Sequence, residues 1–276
     1  MKKTLIALIA LAGVASAASV GYNSMTDDQK SDVAFAWDFS DGQVSLDVGS
    51  VDMGSNQWPS ADFSLTSSST ACVGKNGSVP WTSRLSGVGS SFTLSFDVNS
   101  IPDYGDYWPS DGVYQAIATL YSDGATTYLF NNILIGFDQN NNIVLKTKGE
   151  NDNGYGGAGD HTIETGLTTT QIKDTTFTLV SDATEQVLTL YVNGESVGSV
   201  SNWVAGEGKS LAPTGFQFGS GFSDKCMANE VEMSNITMWN KALNASEVSS
   251  LIVPEPATAT LSLLALCGLA MRRRRK

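Results

Sequence analysis

Alternation of apolar and polar residues dominates the chain between its two ends. In Phe92-Thr93-Leu94-Ser95-Phe96-Asp97-Val98 every second residue is apolar, and Leu188, Leu190 and Val192 interleave with Thr189, Tyr191 and Asn193. A period of two places one set of side chains against a core and the other toward solvent, so both runs predict strands with one buried face. Further β-rich runs cover 33–39, 113–121, 128–137, 142–147, 176–180, 186–192, 216–219 and 231–239.

Turn-forming residues separate these runs: Asp123-Gly124, Asn140-Asn141-Asn142, the glycine-rich stretch 151–160, and Asn193-Gly194. An Asn-Gly pair tolerates the positive φ angles of a two-residue hairpin, so 187–192 is expected to pair with 195–200. Helix signal is confined to 244–251, where Asn244 or Ser246 offers a cap to one short amphipathic turn. The low-complexity run 64–70 reads as a loop or sheet edge. Many short strands with regular turns and almost no helix predict an all-β, two-sheet antiparallel jelly-roll sandwich. Pairing of the terminal strands is expected to bring Trp37 beside Trp239 in or near the core.

The two ends follow a different pattern. Lys2 and Lys3 precede an apolar run, Leu5 to Val14, and then the small residues Ala15-Ser16-Ala17. That run is shorter than the ~20 residues a bilayer span needs, and the order of parts is that of a secretory signal peptide cut after Ala17, give or take a residue. At the other end Pro254-Glu255-Pro256 precedes an apolar stretch from Ala257 to Met271 and the basic run Arg272, Arg273, Arg274, Arg275 and Lys276. The stretch has 15 residues. As a helix it would be about 22 Å long at 1.5 Å per residue, against a hydrocarbon core of about 30 Å. It is a marginal, transmembrane-like helix with its basic end held in the cytoplasm. The expected organisation is therefore signal peptide 1–17, sandwich domain 18–252 and tail 253–276.

The tail residues resemble the PEP-CTERM sorting signal of Gram-negative bacteria, which has a Pro-Glu-Pro motif, a short apolar helix and an Arg-rich terminus. The resemblance implies transient inner-membrane insertion, cleavage near the motif by an exosortase-type transpeptidase after signal peptidase has acted, and delivery to the cell surface or an extracellular matrix. A second resemblance is carried by Ala34-Phe35-Ala36-Trp37-Asp38-Phe39, by Leu188 to Gly194 and by Met233 to Val248. These segments are similar to the opening strand, central hairpin and closing strand with helix of concanavalin A-like or laminin G-like domains. That resemblance implies a jelly roll of a kind that often binds carbohydrate or protein, sometimes with calcium.

Charge narrows the partners. The chain has 16 Lys and Arg against 28 Asp and Glu; the two end segments hold seven of the basic residues and one acid, leaving the domain with 9 against 27. A field of that sign disfavours nucleic acid and anionic membrane and favours solubility or cation binding. Cys267 lies in the tail, which leaves Cys72 and Cys226 as either a disulfide of an exported protein or two free thiols.

Candidate chemistry concentrates in loops. The segment 101–112 sets Tyr104, Tyr107 and Trp108 among Asp103, Asp106 and Asp111. Aromatic rings there would stack on the apolar face of a sugar while carboxylates accept hydroxyl hydrogen bonds; alternatively Tyr107 and Trp108 plug one end of the sandwich. Calcium needs hard oxygen ligands, offered by Asp103, Asp106 and Asp111 or by Asp152, Asn153 and Asp160, although such acids are also ordinary turn residues. Glu230 and Glu232 share a strand face but lack the third acid of a Glu-x-Asp-x-x-Glu glucanase strand, and read as an acidic strand edge. His161, the single histidine, cannot build a triad or a zinc site alone and is expected exposed in a loop. The resulting expectation is a non-enzymatic surface or matrix protein that recognises a glycan or envelope polymer, with a purely structural protein or a divergent glycan hydrolase as alternatives.

Overall fold

The computed structural model describes residues 18–43, 46–50, 64–65, 71–73, 83–85, 87–101, 115–122, 132–138, 140–148, 161–201, 212–218 and 231–252. In chain order the early strands are β1 (Val33–Trp37), β2 (Val48–Gly49), β3 (Ser64–Leu65), β4 (Ala71–Val73) and β5 (Ser83–Arg84). They are followed by β6 (Phe92–Ser100), β7 (Gln115–Ser122), β8 (Asn132–Phe137), β9 (Asn142–Lys148) and β10 (His161–Thr168). The last five are β11 (Thr175–Asp182), β12 (Val187–Val192), β13 (Glu195–Ser201), β14 (Pro213–Phe218) and β15 (Val231–Trp239). One turn of helix, α1 (Asp27–Lys30), precedes β1, and another, α2 (Ala245–Ser250), follows β15.

These strands form two antiparallel sheets. One runs β13-β12-β11-β6-β15-β1-β2, with β4 also pairing with β15 and β3 with β4; the other runs β10-β9-β8-β7-β14-β5. The molecule is the expected all-β sandwich. Between the sheets the alternate apolar residues meet: Phe92, Leu94, Phe96 and Val98 of β6 and Phe177 and Leu179 of β11 share one cluster with Ile133, Ile135 and Phe137 of β8. Aromatic rings join the layers. Phe35 of β1 stacks on Phe216 of β14 at 5.1 Å between centroids, and Phe96 of β6 meets Phe218 of β14 edge-on at 5.8 Å. Such pairs add about 0.5–1.5 kcal/mol beyond the area they bury.

The Asn193-Gly194 hairpin forms as expected, with Val192 paired to Glu195 and φ angles of 50° and 81° at the two loop residues. Asn244, not Ser246, caps α2: its side chain accepts the Ser246 and Glu247 amides, while Glu247 accepts the Asn244 amide. This capping box satisfies amides that would otherwise lack partners.

Three expectations need correction. Terminal strands β1 and β15 do pair, but Trp37 is opposite Ile236 and Trp239 opposite Val33. Trp37 lies in the core between the sheets, whereas Trp239 lies in a second apolar cluster with Met25, Val180, Leu243, Val248 and Leu251. The cause is an interrupted alternation. Val231 and Met233 face inward, and the next inward residues are Ile236 and Met238. A bulge absorbs the extra residue, since the register jumps from Ser234↔Asp97 to Thr237↔Ser95. Trp239 is thereby turned outward. Secondly, His161 is exposed but begins β10 instead of lying in a loop. Its strand escaped the pattern because only Ile163 and Leu167 are buried in it. Thirdly, Glu232 is on a central strand, paired on both sides by β6 and β4, and not at a sheet edge.

The polar positions of the nine-stranded sheet are also buried. Thr93, Asp97, Thr176 and Thr178 are all fully enclosed. The segment ahead of β1 and the segment after β15 pack near this outer face, where Trp239 Nε1 donates to the Gln29 carbonyl at 2.7 Å and Leu243 N donates to Thr93 Oγ1 at 3.0 Å. The two segments meet as well. Ser19 bridges Ile252, and Val20 N donates to the Leu251 carbonyl at 2.7 Å.

Candidate functional site

The outer side of the six-stranded sheet holds a buried strip, Thr119, Leu134 and Val144, along β7, β8 and β9. Its residues are placed by register. Ile133, Ile135 and Phe137 of β8 point into the core with Ile143 and Leu145 of β9, so the intervening positions belong to the other face. One cross-strand row runs Gln217, Thr119, Leu134, Lys146 and Thr162 from β14 to β10. Along it Thr119 and Leu134 are buried, Lys146 is half-buried and Thr162 is exposed. The adjacent row aligns Arg84, Gly215, Tyr121, Asn132 and Lys148 across β5, β14, β7, β8 and β9. Three of the domain's nine basic residues, Arg84, Lys146 and Lys148, therefore fall in two neighbouring rows of an otherwise acidic domain.

Tyr104, Tyr107, Trp108, Asp103, Asp106 and Asp111 lie outside the described residues, as do Asp152, Asn153, Asp160, Glu230 and Cys226. The same holds for 1–17 and for the tail with Pro254, Glu255, Pro256 and Arg272 to Arg275. Cys72 is placed by its backbone alone, opposite Glu232. Glu232 itself accepts the Ser100 hydroxyl at 2.8 Å. Among the described residues no group of three or more His, Cys, Asp or Glu side chains could hold a metal ion, and no helix is long and apolar enough to cross a membrane.

A second polar centre, absent from the sequence expectations, lies beneath the chain's amino-terminal segment. Asp97 is fully buried on β6. Its Oδ1 accepts Thr176 Oγ1 at 2.6 Å and its Oδ2 accepts Asn235 Nδ2 at 2.8 Å, while Ser19 N lies 3.1 Å from each oxygen. Asn235 also donates to the Ser19 carbonyl at 2.9 Å. Burial pushes the Asp97 carboxyl above its ordinary range, opposed by the hydrogen bonds from Thr176, Ser19 and Asn235. The β15 bulge supplies this arrangement, since Asn235 adopts a φ of 51°. The available sequence signal was the broken alternation at Met233 to Ile236 together with an acid in mid-strand. A separate cavity of about 300 Å³ is lined by residues that include Gln29, Trp239, Lys241 and Glu247.

With these features the molecule belongs to the class of two-sheet antiparallel jelly-roll sandwiches. No family model matches the sequence, and no curated protein matches it. Solved structures do share the architecture. Domain 4 of AbnA, a GH43 extracellular arabinanase from Geobacillus stearothermophilus, solved with arabinotriose, is 14% identical over 80% of this chain and 98% of its own, with a TM-score of 0.52. The binding domain of Paraclostridial Mosquitocidal Protein 1 is 16% identical over 81% of this chain and 52% of its own, with a TM-score of 0.54, so the chain spans about half of that structure. At these identities the likeness establishes the fold.

Proposed function

We propose that this is an exported, non-enzymatic surface or matrix protein whose sandwich binds a glycan across the outer side of its six-stranded sheet. The observation that carries the reading is the cross-strand row Arg84, Gly215, Tyr121, Asn132 and Lys148. The register sets an aromatic residue, an amide and two cationic residues at neighbouring ladder positions, a residue set that suits a sugar chain, which presents apolar ring faces and hydroxyls in alternation. The loop with Tyr104, Tyr107 and Trp108 leads into β7, the strand that carries Tyr121, and is the proposed second contact. Calcium held by Asp103, Asp106 and Asp111, or by Asp152 and Asp160, would steady the loops. The arabinotriose in the structure of AbnA domain 4 makes an arabinan a natural first ligand to try.

Export rests on the sequence of the two ends: a signal peptide over 1–17, and a tail over 253–276 cut near Pro254-Glu255-Pro256 by an exosortase-type transpeptidase. The purified protein, presented with and without calcium to an array of neutral and uronic-acid-containing glycans, is expected to retain at least one polymer. Tyr121→Ala with Asn132→Ala should weaken retention about tenfold, or roughly 1.4 kcal/mol, with the fold intact by circular dichroism. Retention of no glycan under either condition would sink the binding reading and favour a purely structural surface protein.

A further inference from the structure

We infer that Asp97 is the receptor for a new amino terminus, with signal peptidase cutting between Ala18 and Ser19 and the freed Ser19 ammonium forming a buried ion pair with the Asp97 carboxylate. This rests on the export reading and moves the cut one residue beyond Ala17.

The geometry around Ser19 is the ground for it. Ser19 N stands 3.1 Å from both oxygens of one carboxylate. An amide has a single proton and serves two acceptors poorly; an ammonium has three and serves both. The Ser19 carbonyl is gripped by Asn235, whose amide also holds Asp97, so the nitrogen's position is fixed from two sides. Ala18 is exposed while Ser19 is 7% exposed, which places the solvent boundary at the bond to be cut and leaves the outward proton of the ammonium to water.

A buried carboxylate without a cationic partner is costly, and among the described residues no basic side chain is one of the groups that act on Asp97. Other acids on or beside the packed elements include Asp38, which takes the Asn23 amide, Asp174, which takes Asn99 Nδ2, and Glu232, which takes Ser100 Oγ. Nearby cationic groups are Lys30, set over the Tyr22 ring, Lys241, paired with Glu247, and Lys173 in the turn ahead of β11. Asp27, Asp28 and Asp32 of the amino-terminal segment, Asp182 at the end of β11, Tyr22 and Tyr191 are further titratable groups on these elements.

Peptidase chemistry allows the cut. Ser16-Ala17-Ala18 presents small residues at the first and third positions before the bond, as Ala15-Ser16-Ala17 does one residue earlier. The step is hydrolysis of one amide. The bond from the Ala18 carbonyl carbon to the Ser19 nitrogen breaks, water supplies a hydroxyl to the carbon and a proton to the nitrogen, and protonation of the amine at neutral pH completes the ammonium.

The test uses the full chain exported from a bacterial host. Amino-terminal sequencing of the wild-type protein is expected to begin at Ser19, and NMR titration should place its α-amine at least one unit above the ordinary ~7.7–8.0. Ala17→Tyr should leave the start unchanged. Ala18→Tyr should move the start one residue earlier, to position 18, lower the melting temperature by about 5 °C and return the amine to its ordinary pKa. A wild-type start at Ala18, or a Ser19 start whose amine titrates normally, overturns the inference while leaving export intact. Recovery of residues 1–17 on the purified protein overturns export itself.

Discussion

Asn235 holds a left-handed backbone, φ 51°, that costs most residues about 1–2 kcal/mol, and its side chain offsets this with two hydrogen bonds to Asp97 and Ser19. Removing the side chain separates the two effects. Asn235→Gly loses the bonds but keeps the conformation and should lower stability by about 2 kcal/mol; Asn235→Ala should lower it by about 0.5–1 kcal/mol further. Urea midpoints check the order, and equal losses would remove strain from the account. At Asp97 the sign of the pH dependence follows from the direction of its shift. While Ser19 N is an amide, as in the Ala18→Tyr protein, burial holds the folded carboxyl above its ordinary value of 3.8. The folded chain then binds more protons than the unfolded one, so this contribution is complete below that value and is lost as pH rises through the raised one. With an ammonium at Ser19 the carboxylate is held ionised and the acid-side slope reverses. Subtracting the profile of Asp97→Asn from each parent isolates the contribution; the same slope for both parents would show that the ammonium does not reach the carboxylate.

At the scale of elements, the β12–β13 hairpin is tied to the end of the domain. Asn193 N donates to the Thr176 carbonyl at 2.9 Å and Asn193 Oδ1 accepts Thr176 N at 2.9 Å, so the turn is clamped to the start of β11. Gly194 has φ 81°, and a Cβ there would stand 2.8 Å from Ile252 Cγ1 and 3.4 Å from Ser249 Cα. Gly194→Ala should therefore cost about 2 kcal/mol, from backbone strain plus contact with the chain that follows α2. Ile252→Ala made in the same chain should recover the contact part, and a double-mutant cycle showing no coupling would refute the steric half. Asn244→Ala, which removes the cap of α2, should cost about 1 kcal/mol by thermal unfolding.

At the scale of the molecule, the first and last described residues are neighbours. Ser19 and Ile252 form a bridge, so a signal peptide before residue 18 and a tail after residue 252 would leave from one side of the sandwich. A precursor held at both ends would then hang from the membrane by a single face, leaving the six-stranded sheet free of tethers. A mostly apolar stretch of 15 residues that spans poorly is better suited to recognition than to permanent anchoring. Mass spectrometry of the carboxy-terminal peptide from native cells should end near 253–256, and an intact Arg272 to Lys276 terminus on surface material would show sorting to be wrong. Replacing the basic run with serine should impair processing, because the charge that keeps the tail's end in the cytoplasm would be gone.

The sequence by itself determined the strands whose inward residues alternate strictly. Phe92 to Val98 and Leu188 to Val192 each offer one apolar set of side chains to the space between the sheets, and Asn193-Gly194 favours a tight hairpin, so sandwich class and central register were readable. It could not give the fate of the opposite set. Thr93, Asp97 and Thr176 look like solvent-facing residues in a period of two, yet the segments on either side of the strand core cover them. Those segments carry little periodicity, and what they cover depends on contacts between residues some 80 to 220 positions apart in the chain, such as Ser19 to Asp97 and Ser19 to Asn235. The bulge at Asn235 is of the same kind. A single extra residue leaves local propensity unchanged, but the packing of Met233 and Ile236 on either side decides that it protrudes, and so decides which way Trp239 faces and what holds Asp97.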